Sequence, residues 1–167
     1  MNKIELRPID VDPKYLEKWN SSHYSSFCHL YKNGEKVSDT LYRKGGFSTN
    51  LNDKYFMILK YTESYYNDNI TKEIDRKPHL SGNFTIIDND AVERISFESY
   101  KNPYLFGCVY SINNKYYNIE TGELYCDSYT TIKTENFIFL NNRYDDDKRK
   151  RGVLKINKND GTWELFN

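Results

Sequence analysis

Two stretches near the C-terminus decide the fold: YYNIETGELY at Tyr116–Tyr125 and KINKNDGTWELF at Lys155–Phe166. Each runs as a short alternating segment into an Asn/Asp/Gly cluster and leaves as a second alternating segment carrying a Glu. Alternation with period two is what a pleated strand with one buried face requires, and glycine supplies the positive φ that tight turns need. Each stretch therefore predicts an antiparallel β-hairpin, with Gly122 and Gly161 at the left-handed position. Two more stretches can be laid over them: LYKNGEKV at Leu30–Val37, with Gly34, and IIDNDAVERI at Ile86–Ile95, where Asp90-Ala91 replaces the glycine.

An aromatic-rich segment follows each of the first three hairpins: YFMILKY at Tyr55–Tyr61, YLFGCVY at Tyr104–Tyr110 and NFIFLNN at Asn136–Asn142. Each predicts one strand, placed centrally in antiparallel sheet, with Phe56, Ile58, Leu105, Phe137 and Phe139 as candidates for the buried set. Pattern alone leaves open which face each strand buries. Repetition of one supersecondary unit, with extra residues confined to the loops Thr62–Leu80 and Arg143–Arg151, is how stacked β-meanders are written. The segments at Tyr116–Tyr125 and Lys155–Phe166 resemble the strand, Asp/Asn-x-x-x-Gly, strand pattern of β-propeller-type and tryptophan-glycine β-repeats. The resemblance spans Phe27–Asn167 and implies a scaffold used for binding, without transferring any catalytic residue. Three to four unevenly spaced units are too few for an ordinary closed ring, so an open or rolled antiparallel sheet is expected.

Ahead of the repeats, residues 1–25 read as a lead-in. Ile4–Ile9 alternates as a short strand. Asp12-Pro13 offers an N-cap and a first-turn proline, and Tyr15, Leu16 and Trp19 form an apolar stripe, so a short helix is expected over Pro13–Asn20. The fold class is thus mainly β: an antiparallel β-meander or rolled sheet of three to four repeated hairpin units, with a short N-terminal helix, in a single domain over 1–167.

Composition agrees. Mean hydropathy is −0.86, and Leu, Ile, Val and Phe together are only 39 of 167 residues. The 16 Tyr and 2 Trp supply the missing apolar area, since their rings bury while their tips stay polar. One Ala, no Gln and 19 Asn disfavour helix and favour strands joined by turns. Lys+Arg and Asp+Glu are 24 each, giving a formal net charge of 0. That balance argues against a dedicated duplex-binding protein and against an acidic nucleic-acid mimic. No apolar run is long enough to span a membrane and no signal peptide is legible, so a cytoplasmic protein with no membrane partner is expected. Cys28, Cys108 and Cys126 form no CxxC and are odd in number, as buried thiols in a reducing compartment would be.

Chemistry-bearing residues are few. His23, Cys28 and His29 have a loose ligand spacing, but adjacent residues of a strand point to opposite faces and cannot join one tetrahedral site. Apolar contexts around Cys108 and Cys126 raise a thiol pKa instead of activating it. No nucleophile elbow, HExxH, phosphate loop or dinucleotide fingerprint is present, and neither Asp88–Asp90 nor Asp145–Asp147 has the glycine and terminal Glu of a calcium loop. Hence no catalytic residue, metal or cofactor is expected.

Two loops stand out. Thr62–Leu80 carries Tyr65 and Tyr66, whose amphipathic rings suit interface anchors, set against a plain helix at Ile70–Ile74 folded over a sheet edge. The run RYDDDKRKR at Arg143–Arg151 is either a solvated charged loop or a recognition loop in which Lys148, Arg149, Lys150 and Arg151 meet an acidic partner. The expected function is non-catalytic binding of another protein, in the form of a small inhibitor of immunity or anti-defence type from an AT-rich bacterium or phage. The alternatives are a single-stranded nucleic-acid or small-ligand binding module with stacking tyrosines, and an unrecognised hydrolase.

Overall fold

The computed structural model describes residues 1–10, 27–43, 51, 53–65, 78–98, 103–142 and 151–166. Among them every helix or strand is a β-strand, and all strand pairs are antiparallel. The predicted helix over Pro13–Asn20 lies outside the described residues. The chain divides into two compact units, Met1–Ser99 and Tyr100–Asn167.

The first unit is one seven-stranded sheet. Its strands are β1 (Ile4–Pro8), β2 (Phe27–Lys32), β3 (Glu35–Lys36), β4 (Leu41–Arg43), β5 (Tyr55–Tyr65), β6 (Pro78–Asp88) and β7 (Glu93–Glu98), in the order β1-β2-β4-β5-β6-β7 with β3 paired to β2. The β2–β3 hairpin turns on Asn33 and Gly34, both at positive φ, the two-residue turn whose twist matches that of its strands. β5 is central, as its unbroken apolar run requires: Tyr55, Phe56, Met57, Ile58 and Leu59 are all buried, so both faces are covered. Phe56 and Ile58 join Ile4, Leu30, Tyr42 and Ile87 in the core. The Ile86–Ile95 hairpin closes on Asp88, whose Oδ1 accepts the N–H groups of Asp90 and Val92 at 2.9 Å each. Its Oδ2 holds Arg94 at 2.7 Å. Ala91 takes the left-handed position that glycine holds elsewhere.

The Thr62–Leu80 loop is shorter than expected. β5 and β6 stay paired out to Tyr65 opposite Pro78, leaving 66–77 as the connection. A ladder set in register by the apolar segment continues outward through backbone hydrogen bonds, which polar residues make as well as apolar ones.

The second unit contains two four-stranded meanders. β8 (Tyr104–Phe106), β9 (Val109–Ile112), β10 (Lys115–Asn118) and β11 (Leu124–Asp127) form one sheet in the order β11-β10-β9-β8. β12 (Thr131–Lys133), β13 (Phe137–Asn142), β14 (Gly152–Asn157) and β15 (Trp163–Phe166) form the other in sequence order. The segment YLFGCVY is thus not one strand. It breaks at Gly107, which sits at φ 62° where a Cβ would lie 2.1 Å from the Lys158 carbonyl oxygen. β8 is a sheet edge and Leu105 is only half-buried. A further turn at Asn113-Asn114, both at positive φ, joins β9 to β10.

β13 is central, but its buried side chains are Ile138, Leu140 and Asn142. Phe137 and Phe139 occupy the other face and are half-buried.

Candidate functional site

The hairpins that opened the sequence reading share one turn. In the first, the Gly122 N–H donates to the Asn118 carbonyl at 3.0 Å, and the Asn118 N–H to the Glu123 carbonyl at 2.9 Å. The Asn118 Oδ1 accepts the Glu120 N–H at 2.8 Å. In the second, Gly161 donates to Asn157 at 2.9 Å, Asn157 to Thr162 at 2.8 Å, and Asn159 to the Asn157 Oδ1 at 2.9 Å. An Asn that ends one strand and folds its side chain over the turn serves as a local cap for otherwise orphaned N–H groups. The preceding turn is tied in alike: Ile119 donates to the Cys108 carbonyl, and Lys158 to the Asn136 carbonyl, both at 2.9 Å.

Register then assigns the faces, because residues directly opposite in an antiparallel pair point the same way. In β8–β11, one face carries Asn118 with Tyr104, Phe106, Val109, Ser111, Tyr116 and Cys126. In β12–β15, the face carrying Asn157 holds Ile132, Phe137, Phe139, Val153, Lys155, Glu164 and Phe166. We call these the asparagine faces and the others the reverse faces.

The asparagine face of β8–β11 packs on the reverse face of β12–β15. Tyr116 hydrogen-bonds Thr131, and the Lys133 ammonium lies 4.3 Å from the Phe106 ring centre. Ile138, Leu140, Leu154 and Ile156 on that reverse face are fully buried. Tyr125 pins the two sheets: Asn118 Nδ2 donates to its hydroxyl at 2.9 Å, and that hydroxyl donates to the Gly161 carbonyl at 2.6 Å. Burial pushes the Tyr125 phenol up to about 12, against the opposing pull of the Asn118 amide. The proton is therefore retained and the Gly161 contact is a donated one.

The asparagine face of β12–β15 is different. Ile132 is 62% and Phe166 53% exposed. Phe139 meets Phe166 edge to face at 5.2 Å and Phe137 at 6.5 Å. Lys155 lies 4.5 Å from the Phe137 ring centre and pairs with Glu164 at 2.7 Å. Aromatic rings with one compensated charge pair at their centre make up a surface suited to protein contact, where rings supply area and the pair supplies orientation. Sequence reasoning named Phe137 and Phe139 but assigned them to the core. The pattern holds no signal that corrects this, because Ile138 and Leu140 have the same spacing and are as apolar.

Of the residues expected to form the site, Tyr65 ends β5 with its backbone opposite Pro78, and Tyr66, Lys148, Arg149 and Lys150 lie outside the described residues. Arg151 is exposed immediately before β14. In the chain the basic run falls between the end of β13 at Asn142 and the start of β14 at Gly152. Cys28 is fully buried, while His29 Nδ1 lies 3.0 Å from the Thr40 carbonyl. His23 lies outside the described residues. All three cysteines are buried and none is in a disulfide. Among the described residues no group of three or more His, Cys, Asp or Glu side chains is placed to hold a metal ion, and no helix is long and apolar enough to cross a membrane. Compared with known proteins, the chain matches no family model, no curated protein and no solved structure.

Proposed function

We propose that this protein is a non-catalytic protein-binding protein whose contact surface is the asparagine face of β12–β15. The observation that carries the reading is the exposure of Ile132 and Phe166 beside Phe137 and Phe139, on a sheet whose other face buries Ile138, Leu140, Leu154 and Ile156. Clusters of large exposed apolar side chains on a rigid sheet mark interaction sites, and buried aromatic anchors dominate interface energetics. The Lys148–Arg151 run, between β13 and β14 in the chain, adds long-range attraction for an acidic partner. A small inhibitor is one form of this reading.

The test is affinity capture from the source cell with quantitative mass spectrometry, comparing the native protein with Ile132→Asp/Phe166→Asp. Both side chains are exposed, so the double variant is expected to keep its thermal stability and to lose the captured partner by more than tenfold. Neutralising Lys148, Arg149, Lys150 and Arg151 should slow association, mainly at low salt. Tyr65→Ala/Tyr66→Ala gives the third arm: a tenfold loss there with unchanged capture by the sheet variant would move the site to the β5–β6 connection.

A further inference from the structure

We propose that Asn33 is a modification site: its side-chain amide deamidates spontaneously, and the docking of Asn2 and Lys3 on the β2–β3 turn governs when it does so.

Of the 19 asparagines, only Asn33 is followed by glycine. Glycine has no Cβ to shield its backbone nitrogen, which makes that nitrogen an open nucleophile toward the preceding side-chain amide. In the reaction the Gly34 nitrogen gives up its proton and bonds to the Asn33 Cγ. The Cγ–Nδ2 bond breaks and Nδ2 leaves as ammonia. Solvent water then opens the cyclic imide at either carbonyl, giving aspartate or isoaspartate and restoring the Gly34 N–H.

The fold holds the reacting atoms apart. Asn33 and Gly34 sit at φ 51° and 89° in a two-residue hairpin loop, the geometry of a type I′ turn, whose first central residue has a ψ of about 30°. Ring closure needs the Gly34 nitrogen eclipsed with the Asn33 Cβ about the Cα–C bond, and at that ψ the two are close to anti. The side chain is pinned as well. Asn33 Oδ1 accepts the Lys3 N–H at 2.8 Å, and Asn33 Nδ2 donates to Asn2 Oδ1 at 3.0 Å. The Asn33 N–H donates to the Lys3 carbonyl at 2.8 Å. Asn2 is fixed in turn, its Nδ2 donating to Asp90 Oδ1 at 2.8 Å and to the Asn89 carbonyl at 3.1 Å. Asn33 is exposed, so water reaches the turn; the fold withholds only the freedom to rotate.

Lys3 immediately precedes β1, which ends the order of its sheet, and such strands open at lower free energy than central ones. Release of Asn2 and Lys3 frees the turn, and conversion then works against their return. Aspartate places a carboxylate oxygen where Nδ2 stood, against Asn2 Oδ1. Asn2 presents its own amide nitrogen there only by giving up Asp90 and Asn89. Isoaspartate adds a methylene to the backbone, so the two-residue loop loses its register.

Peptide mapping of the full chain, native and in urea at one pH and temperature, reads Asn33 conversion by mass and isoaspartate by enzymatic methylation. Asn33 should convert in urea and react more than tenfold more slowly in the native protein. Asn2→Ala should raise the native rate about fivefold or more, the worth of one net hydrogen bond, and leave the rate in urea unchanged. Equal rates in the folded and unfolded chain would overturn the gating, and no conversion in urea would overturn the site. A native rate untouched by Asn2→Ala would overturn the part given to docking. Hydrogen exchange of the native protein supplies a measurement that needs no variant to fold. The Lys3 and Asn33 N–H groups should be protected by a factor similar to the native-to-urea ratio of conversion rates. Free exchange at both while conversion stays slow counts against the proposal.

Discussion

Gly161 shows how much one missing Cβ decides. Its φ is +75°, and a Cβ built on it would lie 2.3 Å from Asn118 Nδ2 and 2.7 Å from the Tyr125 hydroxyl. Gly122 has nearly the same φ, +71°, with nothing within 4 Å. Both substitutions by alanine cost the left-handed conformation, about 1–2 kcal/mol. Only Gly161→Ala must also break the Asn118–Tyr125–Gly161 chain, so its cost should exceed that of Gly122→Ala by about 1–3 kcal/mol. Equal denaturation midpoints would mean that the chain contributes nothing. Tyr125 itself makes a pH prediction. An ordinary tyrosine titrates near 10 and this one near 12, so folding favours the protonated form. Its contribution is complete below pH 10 and is lost as pH rises through 12. Tyr125→Phe should therefore cost about 1–3 kcal/mol at neutral pH, with the gap to the native protein closing between pH 10 and 12 in urea unfolding. A gap that persists at pH 12 would locate the effect in packing, not in the donated hydrogen bond.

At the scale of elements, what the sequence disclosed was its turn chemistry. The four hairpins at Gly34, Asp88–Ala91, Gly122 and Gly161 are all present because Asn, Asp and Gly shape the chain through local bonds that need no tertiary context. Tertiary context decided the rest. Gly107 looks like one residue in an apolar run, and only the approach of the Lys158 backbone makes it a turn. Phe137 and Phe139 are as apolar as Ile138 and Leu140, and which pair faces inward depends on what the sheet packs against. The exposed aromatic face was illegible for the same reason, since exposure is a property of the assembled sheet. Asp88 tests the local half of this account. Its Oδ1 accepts two backbone N–H groups and its Oδ2 binds Arg94. Asp88→Ala should lose about 2–3 kcal/mol by orphaning both. Asp88→Asn can keep the Oδ1 acceptor but turns its NH2 donor toward Arg94, so it should cost about 1–2 kcal/mol, less than Asp88→Ala. Thermal melts that rank the two variants in the opposite order would place the weight on Arg94.

Across the whole molecule, the three cysteines report on both compact units. Cys28 belongs to Met1–Ser99, and Cys108 and Cys126 to Tyr100–Asn167; none is more than 3% exposed. A buried thiol reacts only when its surroundings open, so alkylation rates under native conditions measure local or global unfolding. The native protein should resist labelling at all three sites and react fully once denatured. Each unit also has its own fully buried set, Leu30, Phe56, Ile58, Ile86 and Ile87 in one and Val109, Tyr125, Ile138, Leu140, Leu154 and Ile156 in the other. Separate cores open separately when little stability is shared between them. Gly161→Ala weakens the second set alone, so it should speed labelling of Cys126 by tenfold for every 1.4 kcal/mol it costs while leaving Cys28 at its native rate. Cys126 is the cleaner probe, because the added methyl of Gly161→Ala would itself lie 3.3 Å from the Cys108 sulfur. Equal acceleration at Cys28 and Cys126 would show that the two units unfold as one, and the fold would then have to be treated as a single cooperative block.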